Sequence, residues 1–165
     1  PLNAKKASHN IFQAMCVRWP KYRDEFSKNH TKLEADLDAL HVRMDAIGMP
    51  PTFASHPAYN YLARRYDWDI TNLDLVPDKI ISEEQIKTIG SYAKKKSIRL
   101  LLWESEPSSQ NIKILETRLN INSVVFSPCE IISQGSSTGE SDYLTRMNQN
   151  IDRLVRIISR NETEQ

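Results

Sequence analysis

The quartet Gly48-Met49-Pro50-Pro51 divides this chain into two kinds of sequence. Paired prolines cannot continue a helix, because each lacks an N–H and pushes the residue before it out of helical space. Glycine just ahead of them suits a left-handed helix cap. Before the break, Ala4, Ala7, Ile11 and Met15, then Tyr22, Phe26, Leu33, Leu37, Leu40, Met44 and Ile47, recur at three- and four-residue spacings. That period makes residues 1–48 a long helix with one apolar stripe, which packs on something by one face only. Trp19-Pro20 interrupts the run, either as a kink or as the first turn of a second helix.

Beyond the break, short apolar runs alternate with helical patterns across 49–165. Thr52-Phe53-Ala54 reads as a strand that stops abruptly, with Ser55 as helix N-cap and Pro57 in the first turn. Tyr59, Leu62, Ala63 and Tyr66 then form the helix's buried face. Trp68 to Leu75 alternates as a second strand, and Ser82 with Gln85 three residues on makes a capping box for the next helix. Ile98 to Trp103 (IRLLLW) is the clearest strand, apolar almost throughout as a strand covered on both faces must be. A shorter helix carries Ile112, Leu115 and Leu119, Ser123 to Phe126 is the fourth strand, and a Ser- and Gly-containing loop leads to a last helix from Tyr143. Strand followed by helix four times over implies an α/β fold. The expected architecture is a four-stranded, mostly parallel sheet with helices on both faces, preceded by the long helix.

Several function classes fall away on composition and motif. With 22 basic and 21 acidic residues the net charge is +1, so no global field draws nucleic acid or anionic lipid. The run Lys94-Lys95-Lys96 fits a helix C-terminus, where cations complement the dipole. No stretch is apolar enough for a membrane span, and the N-terminus has no apolar signal core. Starting on Pro1, the sequence reads as a processed product or fragment. Only four glycines are present and none builds a phosphate-binding turn after a strand. There is no serine nucleophile elbow, and Cys129 has no histidine near it in sequence, so catalysis is not expected. Cys16 and Cys129 either pair in an oxidising compartment or are both small buried residues.

In open parallel sheets ligands collect at the carboxyl ends of the strands. Those ends are Ser55-His56, Asp74 to Ile80, Glu104 to Ser109 and Ser127 to Glu130. His56 sits where a strand hands over to a helix N-terminus, whose partial positive charge favours the neutral imidazole that a metal requires. A metal site there needs further donors, and Glu104, Glu106 and Glu130 are candidates from neighbouring loops. His9, His30 and His41 fall on the long helical segment and read as surface or flank residues.

The segment Ser55-His56-Pro57-Ala58-Tyr59-Asn60-Tyr61-Leu62-Ala63-Arg64-Arg65-Tyr66 resembles one in the solute-binding proteins of zinc and manganese ABC transporters, the ZnuA/TroA-like class. Weaker matches follow in the same order: Pro1-Leu2-Asn3-Ala4, Trp103-Glu104-Ser105-Glu106-Pro107, and Tyr143 to Asn150 with its Y-x-x-x-M-x-x-N pattern. The resemblance implies two α/β lobes joined by a long helix, with one metal held between them. It makes residues 1–48 the connecting helix and 49–165 the C-terminal lobe, the N-terminal lobe being missing. His56 then falls on the first of the lobe's two metal-ligand positions. At the second, where the family has Asp-Pro, this chain has Ser127-Pro128 followed by Cys129. Serine's neutral hydroxyl is a poor ligand for a divalent ion. Cys129 or Glu130 substitutes, water fills the place, or metal binds weakly or not at all; a Cys129 thiolate suits zinc better than manganese. The implied function is capture of zinc, with manganese or iron as alternatives, and delivery to a membrane permease from a periplasmic or membrane-anchored extracellular position. The alternative is an interaction or adhesion module of the same fold without metal. Without its partner lobe the chain should bind metal weakly at best and bare an apolar strip that invites a dimer.

Overall fold

A computed structural model describes residues 1–129 and 142–163. The chain forms two compact units, Pro1–Ala46 and Ile47–Gln165. In the first, α1 spans Leu2–Arg18 and α2 spans Arg23–Asp45, joined by a 3-10 turn at Pro20–Tyr22. Pro20 therefore starts a turn rather than kinking one helix, and the chain doubles back into a hairpin. Lys5 of α1 bridges Asp38 of α2 at 2.7 Å, fixing the register of the two helices. Leu37, Leu40 and Met44 are buried, whereas Ile11, Val17, Trp19, Tyr22 and Leu33 are exposed.

Glycine does not cap α2. The helix ends on Ala46 in right-handed geometry (φ −77°), its N–H reaching the carbonyls of Val42 and Met44. Left-handed caps occur instead at Asp67, Ser97 and Asn120, which close α3 (Asn60–Tyr66), α4 (Glu83–Lys96) and α5 (Ser109–Leu119) at φ of 54–55°. Short polar side chains tolerate that region because they can bond locally to the backbone.

The second unit is a fully parallel four-stranded sheet in the order β2-β1-β3-β4. The strands are β1 Thr52–Ala54, β2 Ile70–Asn72, β3 Leu100–Trp103 and β4 Asn122–Val125. The second strand is shorter than its alternating pattern suggested. As the edge strand it pairs only with β1, over three residues. All four residues of β3 are buried, as a central strand between two helical layers requires. Side-chain alternation then separates two cores. Phe53, Leu101 and Trp103 pack with Ile86, Ile89 and Ala93 of α4 and Leu115 of α5. On the other face α6 (Tyr143–Thr163) lies on β4 and buries Met147, Ile151 and Leu154.

Local sequence explains the helix starts. Ser82 Oγ accepts from Gln85 N–H at 3.2 Å while Gln85 Oε1 accepts from Ser82 N–H at 2.9 Å, a complete capping box. Lys94, Lys95 and Lys96 fill the last turn of the same helix, and Lys96 reaches Asp69 at 3.0 Å. Both cysteines are free thiols, each half-buried.

Candidate metal centre

The strand order reverses beside β1: the chain leaves β1 for β2 on one side and returns to β3 on the other. A crevice at the carboxyl ends of the strands opens at such a reversal, because the flanking helices depart to opposite faces. His56 sits there, two residues past the end of β1. The residue before it, Ser55, is held by its backbone from both sides. Ser55 N–H donates to the Leu102 carbonyl of β3 at 2.8 Å, and the Ser55 carbonyl accepts from Leu75 N–H at 3.0 Å.

Ser55 itself is not the helix cap. The capping position falls on His56, extended at φ −146°, ψ 156°, and no side chain caps the turn. Ser55 is fully buried and its Oγ has no hydrogen-bond partner among the described residues. Ser55, just past the end of β1, still bonds through its backbone to Leu102 and Leu75, and its side chain is buried while the next residue turns out. His56 is accordingly exposed to solvent. Behind it come a 3-10 turn, Pro57–Tyr59, and only seven residues of α3, so the dipole at His56 is that of a short helix.

Tyr59 links this junction to the loop after β4. Its hydroxyl donates to the Phe126 carbonyl at 2.7 Å, and its ring meets Phe126 edge-on at 5.7 Å and 87°. One residue further, Asn150 of α6 grips the Ser127 backbone twice. Its Oδ1 accepts from Ser127 N–H at 3.1 Å and its Nδ2 donates to the Ser127 carbonyl at 2.8 Å. Sequence reasoning placed Tyr59 only on a buried face and gave Asn150 no role in the chain's own chemistry. A signal existed for Asn150: it falls on the same apolar stripe as Met147, Ile151 and Leu154, and a buried amide must find partners. Tyr59→Phe keeps the ring and removes one buried hydrogen bond, so a loss of about 1–2 kcal/mol is expected in urea denaturation. An unchanged midpoint would mean that the Phe126 carbonyl finds another donor.

Cys129 lies at the end of the clamped loop in left-handed geometry (φ 63°), unusual for a side chain with a Cβ. Its N–H approaches Ser127 Oγ at 3.4 Å and its thiol the Ser127 carbonyl at 3.6 Å. Burial pushes the thiol's pKa up, with the Arg146 charge pulling it back less strongly. Cys129 therefore rests as a thiol and must shed a proton before it can hold a metal. Ser127 is half-buried, Glu104 half-buried at the end of β3, and Glu106 exposed beside the Arg153, Arg156 and Arg160 face of α6. Glu130 lies outside the described residues. Among the described residues, no group of three metal-binding side chains gathers at His56; the one such group, His9, His30 and Glu34, is on the helical hairpin. There the His30 side chain, read from the sequence as a surface or flank residue, is only 10% exposed.

The family model described as "Zinc-uptake complex component A periplasmic" matches residues 1–157. The zinc-binding protein AdcA of Streptococcus pyogenes is 26% identical over 160 residues, covering 93% of this chain and 31% of its own length. This chain thus spans about a third of that relative. Among solved structures, a metal-dependent lipoprotein, YcdH from Bacillus subtilis, superposes with a TM-score of 0.83 at 24% identity, covering 93% of this chain and 60% of its own. The zinc-bound ZnuA-like domain of Streptococcus pneumoniae AdcA gives 0.79 at 22% identity, with 94% and 60% coverage. These last two are likenesses of fold.

Proposed function

This chain belongs to the periplasmic zinc-uptake complex component A family, and from that premise we propose that it captures zinc for an ABC transporter. His56 is proposed as its principal zinc donor. The observation that carries the reading is the placement of His56: exposed, at the strand-order reversal, directly after Ser55, whose backbone is pinned to β3 and to the β2–α4 loop. A histidine at that position offers an imidazole nitrogen to an ion arriving from solvent.

A stable zinc site uses three or four ligands, and His56 is one. The relatives extend well past the matched region, and we place the remaining donors on a second lobe. Zinc would then close two lobes together, and the closed form would dock on a membrane permease outside the cytoplasmic membrane. Ser127 adds only a neutral oxygen. Cys129 becomes a donor if zinc displaces its proton, which its half-buried setting resists. No catalytic role is proposed; the reading follows the zinc-uptake family.

In the protein carrying both lobes, His56→Ala is expected to weaken zinc binding by at least about tenfold, measured by competition with a chromophoric chelator. Unchanged affinity would remove His56 from the site. Should the unaltered two-lobe protein keep no zinc, manganese or iron after dialysis, the fold would be serving interaction rather than metal capture.

A further inference from the structure

The helical hairpin holds a second constellation that the crevice at His56 does not use. His9 of α1 and His30 and Glu34 of α2 each offer one ligand atom, and these atoms lie within 4.8 Å of one another. The hairpin register produces the grouping. Lys5 pairs with Asp38 at 2.7 Å, and one turn further along α1 His9 comes opposite the turn of α2 bearing His30 and Glu34. The i,i+4 spacing of His30 and Glu34 puts both side chains on one helix face, with Nδ1 of the ring 3.6 Å from Glu34 Oε2.

His30 supplies the independent observation. Its side chain is nine-tenths buried, and its Nε2 has no hydrogen-bond partner among the described residues. Phe12 stacks flat on the ring at 4.4 Å and 12°, so the imidazole plane is fixed. Buried polar atoms are seldom left unpaired without a reason, and a bound ion is one such reason. His9 approaches from the exposed side, its ring centre 5.6 Å from that of His30. The Gln13 amide nitrogen lies 2.9 Å from His9 Nε2, a contact that holds the ring over the hairpin.

We propose that His9, His30 and Glu34 form a second divalent-metal site, built across the α1–α2 hairpin and distinct from any site at His56. Two imidazoles and one carboxylate select zinc, cobalt, nickel or copper over calcium and magnesium, which want all-oxygen ligation. His9 and Glu34 face solvent, so water completes the coordination sphere and the ion exchanges freely. Bound metal ties α1 to α2 and raises the hairpin's resistance to unfolding by mass action.

The test uses the 165-residue chain and zinc chloride, followed by isothermal titration and by thermal melts with and without metal. One zinc is expected to bind the hairpin site. His9→Ala and Glu34→Gln, both at partly or fully exposed positions, should each lower that affinity by about tenfold or more, and abolish the zinc-dependent rise in melting temperature. Their metal-free melts should match the parent chain. In His56→Ala the same binding event should persist unchanged. The proposal is overturned if the parent chain binds no zinc, if both hairpin variants bind as the parent does, or if His56→Ala alone removes the event.

Discussion

Trp103→Ala is expected to cost about 3–5 kcal/mol of unfolding free energy. Trp103 is fully buried at the carboxyl end of β3, packed in one core with Phe53, Leu101, Ile86, Ile89 and Leu115. Its indole N–H donates to Ser123 Oγ across the β3–β4 pair at 3.2 Å. Truncation opens a cavity between the sheet and α4–α5 and leaves the serine hydroxyl short of its donor. Trp103→Phe keeps much of the ring volume and should lose less than half as much. Circular dichroism in urea is the suitable probe, because the chain has three tryptophans and removing one confounds fluorescence. A loss under about 1 kcal/mol would show that neighbouring side chains collapse into the space.

Position 103 was also where the sequence was most informative. An apolar run as long as Ile98 to Trp103 has one economical solution, a central strand covered twice, and all four residues of β3 are buried. The Ser82–Gln85 capping box was legible for a similar reason: its two partners lie three residues apart and the motif is local. Ser55 and Gly48 behave otherwise than their local sequence suggests. Ser55 is drawn into the sheet by its pairing with Leu102, 47 positions on, which no local cap preference can outweigh. Gly48 goes unused as a cap because α2 has already closed at Ala46.

The candidate sites divide along the same line. That His56 stands at a strand's carboxyl end follows from the order of patterns along the chain. What holds its surroundings in place does not, since Tyr59 bonds a carbonyl 67 residues away and Asn150 a backbone 23 residues away. The grouping on the hairpin was hidden altogether. His9, His30 and Glu34 meet only because Pro20–Tyr22 folds α1 back along α2, and one straight helix would have kept His9 and His30 far apart.

Asn150→Ala should lower stability by about 2–4 kcal/mol and, in the same step, free the loop that carries Ser127 and Cys129. The amide is fully buried and makes both of its Ser127 backbone bonds at once, so truncation strands a donor and an acceptor together. Nearby Met147 offers only a sulfur, 3.7 Å from Asn150 Nδ2. The local consequence is separable from the global one through Cys129. Its thiol is half-buried and held above its ordinary pKa by that burial, so it should react slowly with iodoacetamide in the parent chain. With Cys16→Ser as a common background, adding Asn150→Ala should speed alkylation of Cys129 several-fold under conditions where the chain remains folded. A matched destabilising change far from the loop, such as Ile89→Ala in α4, should leave that rate alone. If both variants alkylate alike, the loop follows global unfolding and Asn150 serves the core rather than the Ser127 turn. A faster rate in the Asn150 variant alone would make the amide the clamp that sets where Cys129 stands relative to His56's end of the sheet.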